Sequence, residues 1–176
     1  NLLAHHSSRN PRFASGCGNT DYRNNVVYNW KNESIYGGEE REKDDERYNF
    51  CATNVVANYY KAGPGTLPQF SKRICSPWRN DEVGYSNWYV DANFLFGDPE
   101  VTADNWKGVF PHFWEHGDDV SAIPELKLDK PAEYMPINQD SAEVAYQKVL
   151  KGAGCSLPAR DSIDKRIIEE VRSGTA

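Results

Sequence analysis

The chain contains 176 residues, of which 39% are hydrophobic, 12% aromatic and 26% charged, and its formal net charge is -6 at pH 7. This length suits one ordinary domain, and a mean hydropathy of -0.76 is typical of a globular protein rather than a membrane protein. An isoelectric point near 5.2 argues against a partner that is bound through its phosphates. We therefore expect neither nucleic acid nor a membrane as a partner.

A positively charged stretch, HHSSRNPR, occupies residues 5–12, and the first acidic residue in the chain is Asp21. Pro11 fixes its own φ angle and restricts the backbone before it, so Arg9 and Arg12 leave the chain in defined directions. The fork of a guanidinium matches the two oxygens of a carboxylate. The stretch therefore predicts contact with a polyanion. The alternative is that these arginines form ordinary ion pairs with acidic residues elsewhere in the chain.

A short pattern then recurs, in which an asparagine precedes two or three apolar or aromatic residues. It occurs at Asn1, Asn25, Asn54 and Asn93, with separations of 24, 29 and 39 residues. The apolar runs are typical of short strands, and their regular return indicates stacked coils in which the asparagine amides bond along the stack. We therefore predict a parallel β-helix over residues 1–116. An antiparallel β-sandwich with repeated turns is the alternative.

Two further features concern loops and cysteines. The run GGEEREKDDERY, residues 37–48, mixes charges of both signs and is typical of a solvated loop. The four cysteines contain no CxxC pair, which argues against a zinc site; they are Cys17, Cys51, Cys75 and Cys155. They form either two disulfides in an oxidising compartment or buried free thiols, and three pairings remain open.

The composition changes near residue 117, and we expect residues 117–176 to form a strap and two short helices that cover an apolar surface of the β-helix. The stretch DVSAIPELKLDKPAEYMPIN has three prolines and no strand or helix period, which predicts the strap. One helix should begin at a capping box formed by Asp140 and Glu143, and the other should begin at Asp161. Their apolar faces comprise Ala142, Ala145 and Val149 in the first helix, and Ile163, Ile167 and Val171 in the second.

The motifs, taken in order, resemble a known family. The succession NLLAHHSSRNPR, DYRNNVVYNW, SIYGGE, NVVANYYKAGPGT, WYVDANFLFGDPEVTADNW and DSIDKRIIEEVRSGTA resembles the pectate lyases of polysaccharide lyase family 1. The similarity covers nearly the whole chain, and the RxPR and NYYKxGPxT elements are specific. The resemblance implies an all-β fold, the right-handed parallel β-helix or solenoid, and a secreted, extracellular enzyme of polysaccharide degradation.

The resemblance also implies a reaction, the cleavage of polygalacturonate in pectin by β-elimination. A base removes the C5 proton, the C4 oxygen leaves, and an unsaturated sugar forms. The family's catalytic arginine matches Arg9, whose guanidinium would have to act in its neutral form. A Ca²⁺ ion on the adjoining carboxylate would acidify the C5 proton. Arg12 is expected to hold a uronate carboxylate, although many members of the family place their second arginine where this chain has Ala14.

Two more residues are candidates for binding the substrate. Lys61, one coil beyond the arginines, either contacts a further carboxylate or is a solvated lysine. Tyr36 in IYGGE either lines the cleft or packs in the core. The five tryptophans offer flat faces on which sugars stack, although we expect most of them to serve packing.

The family carries its calcium-binding aspartates, and a lysine that binds substrate, on coils that precede the RxP element. We therefore expect this chain to be the C-terminal portion of a longer enzyme. Its partner would be the N-terminal remainder, its Ca²⁺ ligands would lie outside this segment, and the isolated chain would have little lyase activity. The alternatives are a noncatalytic module that binds polyuronate or cell wall, and a glycoside hydrolase on the same solenoid, which would need two carboxylates facing one sugar.

Overall fold

The computed structural model describes residues 1–40, 50–80 and 82–176. Within the charged run that was predicted to be a solvated loop, residues 41–48 lie outside this described part. The described residues form short β-strands, most of them in the first two thirds of the chain, and a few short helices.

The strands follow one another in groups of three along the chain. The first group is β1 (Leu2–Ala4), β2 (Arg12–Phe13) and β3 (Gly18–Arg23), and the second is β4 (Val26–Tyr28), β5 (Ile35–Gly37) and β6 (Cys51–Val56). The third group is β7 (Tyr59–Lys61), β8 (Cys75–Arg79) and β9 (Asn87–Asp91). They are followed by β10 (Phe94–Leu95), β11 (His112–Phe113) and β12 (Gly117–Asp118).

Every third strand pairs in parallel, so the strands build three sheets. The first sheet has the order β1-β4-β7-β10, the second β2-β5-β8-β11, and the third β3-β6-β9. Strand β12 adds an antiparallel partner to β11 at the edge of the second sheet. The alternative of an antiparallel sandwich is therefore wrong. Mostly parallel sheets with few helices are compatible with a parallel β-helix.

Buried asparagines connect successive strand groups at the bend between the third and first sheets. The backbone N–H of Asn25 donates to Oδ1 of Asn58 at 2.9 Å, and the N–H of Asn58 donates to Oδ1 of Asn93 at 2.9 Å. The prediction that asparagine amides bond along the stack is confirmed. One asparagine of the predicted repeat was assigned wrongly. Asn54 lies inside β6, and Asn58 occupies the position that corresponds to Asn25 and Asn93.

Apolar side chains form two separate clusters. The inner cluster lies between the sheets, and its fully buried members include Trp30, Ile35, Val55, Tyr60, Ile74 and Trp88. The second cluster joins the outer face of the first sheet to the C-terminal helices, and it contains Val26, Tyr28, Tyr59, Leu150, Ile168 and Val171. These helices therefore cover the broad face of a sheet rather than its open edge.

The helices are α1 (Pro99–Ala103), α2 (Ile123–Leu126), α3 (Ala142–Gly152) and α4 (Ser162–Ser173). Short 3-10 turns occupy Pro68–Phe70, Asn105–Gly108 and Val120–Ala122. None of the helices in the described parts of the chain has the length and apolarity that a bilayer-spanning segment requires.

The two predicted C-terminal helices are confirmed, with two corrections. Helix α3 is capped by Ser141, whose hydroxyl oxygen accepts from the N–H of Val144 at 3.3 Å, whereas the predicted cap Asp140 binds Lys148 instead. Helix α4 begins after its predicted cap Asp161. Ile163, assigned to the apolar face of α4, is 58% exposed in the first turn of the helix and is absent from the cluster that α4 forms with the first sheet.

The segment between α2 and α3 crosses the third sheet as an extended strap. The amide of Asn54 both donates to and accepts from the backbone of Ala132, at 3.0 and 2.8 Å. The amide of Asn24 makes the same pair of bonds with Asp140, both at 3.0 Å. Each side chain thus substitutes for a neighbouring strand. The division of the chain near residue 117 stays a prediction.

Candidate functional site

The second sheet presents its outer face beside the loop that carries Arg9. Side chains alternate between the two faces of a strand. Phe13 and Ile35 belong to the inner core, so Arg12 and Tyr36, which are paired in register, lie on the opposite face. We call this the outer face of the second sheet.

Arg9 lies at the end of an anchored loop. The neighbouring Asn10 is fully buried, its backbone N–H donates to the carbonyl of Ser34 at 2.9 Å, and its side-chain amide donates to the carbonyl of Glu33 at 3.1 Å. His6 contacts the Asn10 side-chain oxygen through Nδ1 at 3.0 Å. The loop is therefore tied to the next strand group immediately after Arg9.

The backbone of Arg9 itself is strained, and its side chain is exposed. Its φ angle is 66°, in the left-handed region that costs a non-glycine residue about 1 kcal/mol or more. No hydrogen bond or ion pair joins the Arg9 guanidinium to another residue in the described part of the chain. The structure thus presents Arg9 to solvent from a turn that is anchored through Asn10.

Arg12, by contrast, is engaged by an acidic residue of the next strand group. Its Nη2 lies 2.8 Å from Oε1 of Glu39, and Ser15 donates to the other carboxylate oxygen at 3.3 Å. This is the ion pair that the sequence left open as the alternative. The predicted contact of Arg12 with a substrate carboxylate stays a prediction, and it would require the guanidinium to leave or share Glu39.

Lys61 lies on the first sheet and is buried. Its ammonium donates to the backbone carbonyls of Val171 and Arg172 at 2.8 and 3.0 Å, at the C-terminal end of α4. Burial lowers the pKa of Lys61 below its ordinary value. The sequence suggested either a substrate contact or a solvated lysine, and the structure shows a lysine that binds the last carbonyls of a helix. Its role in binding substrate stays a prediction.

Tyr36 lies on the outer face of the second sheet, within a row of rings. The centroid of the Tyr36 ring is 4.6 Å from that of the Trp78 ring, and the Arg12 guanidinium lies 5.9 Å from the Tyr36 centroid. Trp78 in turn contacts His112 at 5.3 Å and Trp114 at 4.9 Å. Trp114 is 62% exposed, so this end of the row offers a free aromatic surface, whereas Tyr36 is buried.

A cluster of charged residues around the buried Arg73 lies beside this row, and it was not identified from the sequence. Arg73 pairs with Asp118, lies 3.5 Å from Glu33, and donates to the Ser76 hydroxyl at 3.1 Å. Asp118 is also 2.9 Å from Nδ1 of His112. These residues come from separate segments that only the strand register brings together, so no local motif identifies them.

Burial affects the protonation of one member of this cluster, Glu33. It raises the pKa of Glu33 above its ordinary value, although the positive charge of Arg73 and the hydrogen bond from Ser76 oppose the change. The Arg73 guanidinium also lies 4.6 Å from the centroid of the Phe70 ring and 4.8 Å from that of the Phe110 ring. The charged groups of this cluster bind one another, so the cluster holds its members in place rather than presenting an unpaired charge to a ligand.

The residues described here do not suit a metal ion. Among them, no group of three or more histidine, cysteine, aspartate or glutamate side chains is placed to hold one. A Ca²⁺ ion takes six to eight oxygen ligands. We therefore assign no calcium ligand within the described residues.

Comparison with known proteins supports the resemblance found in the sequence. Curated proteins named probable pectate lyase C match 98% of this chain: that of Aspergillus terreus at 28% identity, and those of Aspergillus flavus and Emericella nidulans at 30%. No family model matches the chain. The chain spans about a third of the length of these relatives, 36%, 36% and 34% respectively. The predicted resemblance to pectate lyases is confirmed.

Proposed function

We propose that this chain forms part of a pectate lyase that cleaves polygalacturonate by β-elimination, with Arg9 as the catalytic base. The support is the similarity to proteins named probable pectate lyase C over nearly the whole chain. The observation that carries the assignment of the base is the exposed Arg9 side chain, which is presented on a strained turn anchored by the buried Asn10.

The proposal includes the fold. We infer that the three sheets are the faces of a right-handed parallel β-helix, and that each strand group is one coil. The support is the parallel pairing of every third strand and the buried asparagines that repeat once per group. A right-handed crossover is the usual hand for parallel strands.

The chemistry follows from the position of Arg9. As a neutral guanidine, it would accept the C5 proton of a uronate, the electron pair would form the C4–C5 double bond, and the C4–O bond would break. The leaving oxygen then takes up a proton. A base must lie within hydrogen-bond reach of the proton that it removes, and a side chain that extends from a fixed turn meets this requirement when the polymer lies along the outer face of the second sheet.

The other predicted binding residues enter the proposal in different ways. Arg12 lies on the outer face of the second sheet and would line the polymer's path. Tyr36 lies on the same face but is buried beside Trp78, so it would contact the polymer only after its neighbours moved. Lys61 belongs to the first sheet, and its ammonium would contact substrate only after it released the carbonyls of α4. Ca²⁺ remains a proposal based on the resemblance. Because the described residues do not form a calcium site, we assign no step to the ion.

Two properties of the whole protein are also proposals. We infer that it is secreted, because its relatives are named as pectate lyases and a polymer of the cell wall would be met outside the cell. We also infer that residues outside this chain contribute to its activity, because the chain spans about a third of the relatives' length. Little turnover is expected from these 176 residues alone.

The test compares Arg9→Lys with a matched variant, Arg166→Lys, in the protein with all its natural flanking sequence. Arg166 is an exposed arginine on α4. Loss of the base should lower the release of unsaturated product from polygalacturonate about 10²- to 10⁴-fold, while equilibrium binding of an oligogalacturonide stays unchanged. Arg166→Lys should retain both properties. Unchanged turnover in Arg9→Lys would exclude Arg9 as the base.

The products distinguish the alternative functions. A noncatalytic polyuronate-binding module is favoured by the partly exposed aromatic row on the outer face of the second sheet. Such a module would bind the oligogalacturonide, and no variant would release product. A glycoside hydrolase would generate new saturated reducing ends without the ultraviolet absorbance of an unsaturated sugar.

A further inference from the structure

Two cysteines from consecutive strand groups lie side by side. The Sγ atoms of Cys17 and Cys51 are 2.9 Å apart, and the backbone N–H of Cys17 points to the Cys51 sulfur at 2.8 Å. Cys51 opens β6 and is paired in register with Gly18, the residue that follows Cys17. Neighbouring strands are about 4.8 Å apart, so Cys17, one residue before the registered partner of Cys51, lies within reach of the Cα separations that a disulfide spans, about 4.4–6.8 Å.

We propose that Cys17 and Cys51 form a disulfide when the protein meets an oxidising thiol–disulfide reagent. This assigns one pairing among those that the sequence left open. The bond would connect the first and second strand groups at the start of the third sheet, across 34 positions of the chain.

The two thiols differ in pKa and in exposure, and both differences favour Cys17 as the thiol that attacks first. The hydrogen bond between them lowers the pKa of Cys17 to about 6 and raises that of Cys51. Cys17 is half-buried and Cys51 fully buried. The thiolate is the attacking species in thiol–disulfide exchange, so the more accessible Cys17 reacts first.

The reaction balances with an oxidised disulfide, such as oxidised glutathione, as the electron acceptor. The Cys17 thiolate attacks one sulfur of the reagent, which releases one thiolate and leaves a mixed disulfide. Cys51 then loses its proton and attacks Sγ of Cys17, which releases the second thiolate of the reagent. The protein loses two electrons and two protons, and the reagent becomes two thiols.

The remaining cysteines are placed differently. Cys75 is fully buried in the inner core, and burial raises the pKa of its thiol. Cys155 is exposed in the segment between α3 and α4. A buried residue of the core and an exposed residue outside the sheets do not share a disulfide without rearrangement of the backbone. We therefore expect one disulfide and two free thiols.

The disulfide would stabilise the turn that supports the Arg12 ion pair. Cys17 follows Gly16, whose N–H donates to the backbone carbonyl of Glu39 at 3.1 Å. Ser15 in the same turn donates to the Glu39 carboxylate. The bond would therefore hold this turn, and with it the partner of Arg12, against the second strand group.

The test uses the protein with its natural flanking sequence, first reduced and then equilibrated with oxidised glutathione. The free thiols are alkylated, and the digested protein is mapped by mass spectrometry. Among the four cysteines of this chain, we expect one linked peptide pair, Cys17 with Cys51, and alkylation of Cys75 and Cys155. A map in which all four cysteines are alkylated, or in which the link involves Cys75 or Cys155, would overturn the proposal.

Thermal unfolding gives a second measurement. A disulfide that closes a loop of this size should raise the unfolding midpoint by about 5–15 °C over the reduced form. Cys17→Ser and Cys51→Ser should each lose this difference, and Cys155→Ser should retain it. A difference that persists in Cys17→Ser would contradict the pairing. Both measurements are independent of lyase activity.

Discussion

The ammonium nitrogen of Lys61 lies 2.8 Å from the backbone carbonyl oxygen of Val171 and donates a hydrogen bond to it. A second bond reaches the carbonyl of Arg172 at 3.0 Å. The last carbonyls of a helix have no partner within the helix, and they carry the negative end of its dipole. A lysine on the first sheet therefore supplies both a donor and a positive charge where α4 needs them.

We predict that Lys61→Met destabilises the fold by about 2 kcal/mol, because two carbonyl groups lose a charged donor in a poorly solvated place. Urea unfolding measures the change in free energy. Lys151→Met, at an exposed position in the last turn of α3, should change it by less than about 0.5 kcal/mol. A residue that only contacted substrate would show the opposite result, a weaker affinity for oligogalacturonide with unchanged stability.

We expect the loss of a buried asparagine to lower the free energy of unfolding more than Lys61→Met does. Asn58 is fully buried, its Oδ1 accepts from the backbone N–H of Asn25, and its amide donates to the carbonyl of Tyr22 at 2.9 Å. Asn58→Ala leaves both groups unsatisfied, and we expect a loss of about 2–4 kcal/mol in the free energy of unfolding. The exposed Asn32→Ala serves as the control in the same denaturation experiment. Equal effects of the two variants would show that the amide bonds along the stack contribute little.

The asparagine repeat could be predicted from the sequence because each strand group has a residue of the same chemistry at the same bend. The exact position of the repeat within NVVANYY could not be predicted. The stretch NVVANYY contains Asn54 and Asn58, and apolar or aromatic residues follow both. The structure distinguishes them through the left-handed Ala57, with a φ of 52°, which places the bend directly before Asn58. The cap of α3 was misplaced by one residue for a similar reason, since Asp140 and Ser141 are both suitable caps.

The sequence could bring candidate site residues together only where they are close along the chain. Arg9 and Arg12 are part of one short motif, and their roles in a site stay predictions. The neighbours that determine their surroundings are not local. Glu39 reaches Arg12 across 27 positions, and Asp118 reaches Arg73 across 45. Such contacts depend on which strands are adjacent and in what register, and this information is absent from any single motif.

Substitution of Trp114 tests whether the aromatic row binds the polymer, a prediction that rests on the proposed function. It is 62% exposed and meets Trp78 edge to face. If the polymer follows the outer face of the second sheet, Trp114→Ala should weaken oligogalacturonide binding about tenfold, because an aromatic face that stacks on a sugar is lost. Isothermal titration measures the affinity. Val120→Ala, at another exposed apolar position, should leave it unchanged. Unaltered binding by Trp114→Ala would exclude this end of the row from the path of the polymer.

Titration of Glu33 should make the stability of the fold depend on pH, and substitution of this residue should reveal its contribution. Burial raises its pKa in the folded state, whereas Arg73 and the hydrogen bond from Ser76 oppose the shift, and Asp118 and His112 also face it. Between the ordinary pKa of a glutamate and this raised value, the folded state holds a proton that the unfolded state has released. Stability contributed by this group is therefore present at low pH and is lost as the pH rises through the raised pKa.

Glu33→Gln removes the titration and keeps the shape of the side chain. We expect the variant to gain stability relative to the original protein as the pH rises from about 4 to 7, since only the original must then bury a charge. Urea unfolding at several pH values measures the difference between the two proteins. Glu169→Gln, at an exposed position on α4, should give a difference that stays constant. A difference for Glu33→Gln that falls with rising pH would mean that its ion pair with Arg73 outweighs the cost of burial.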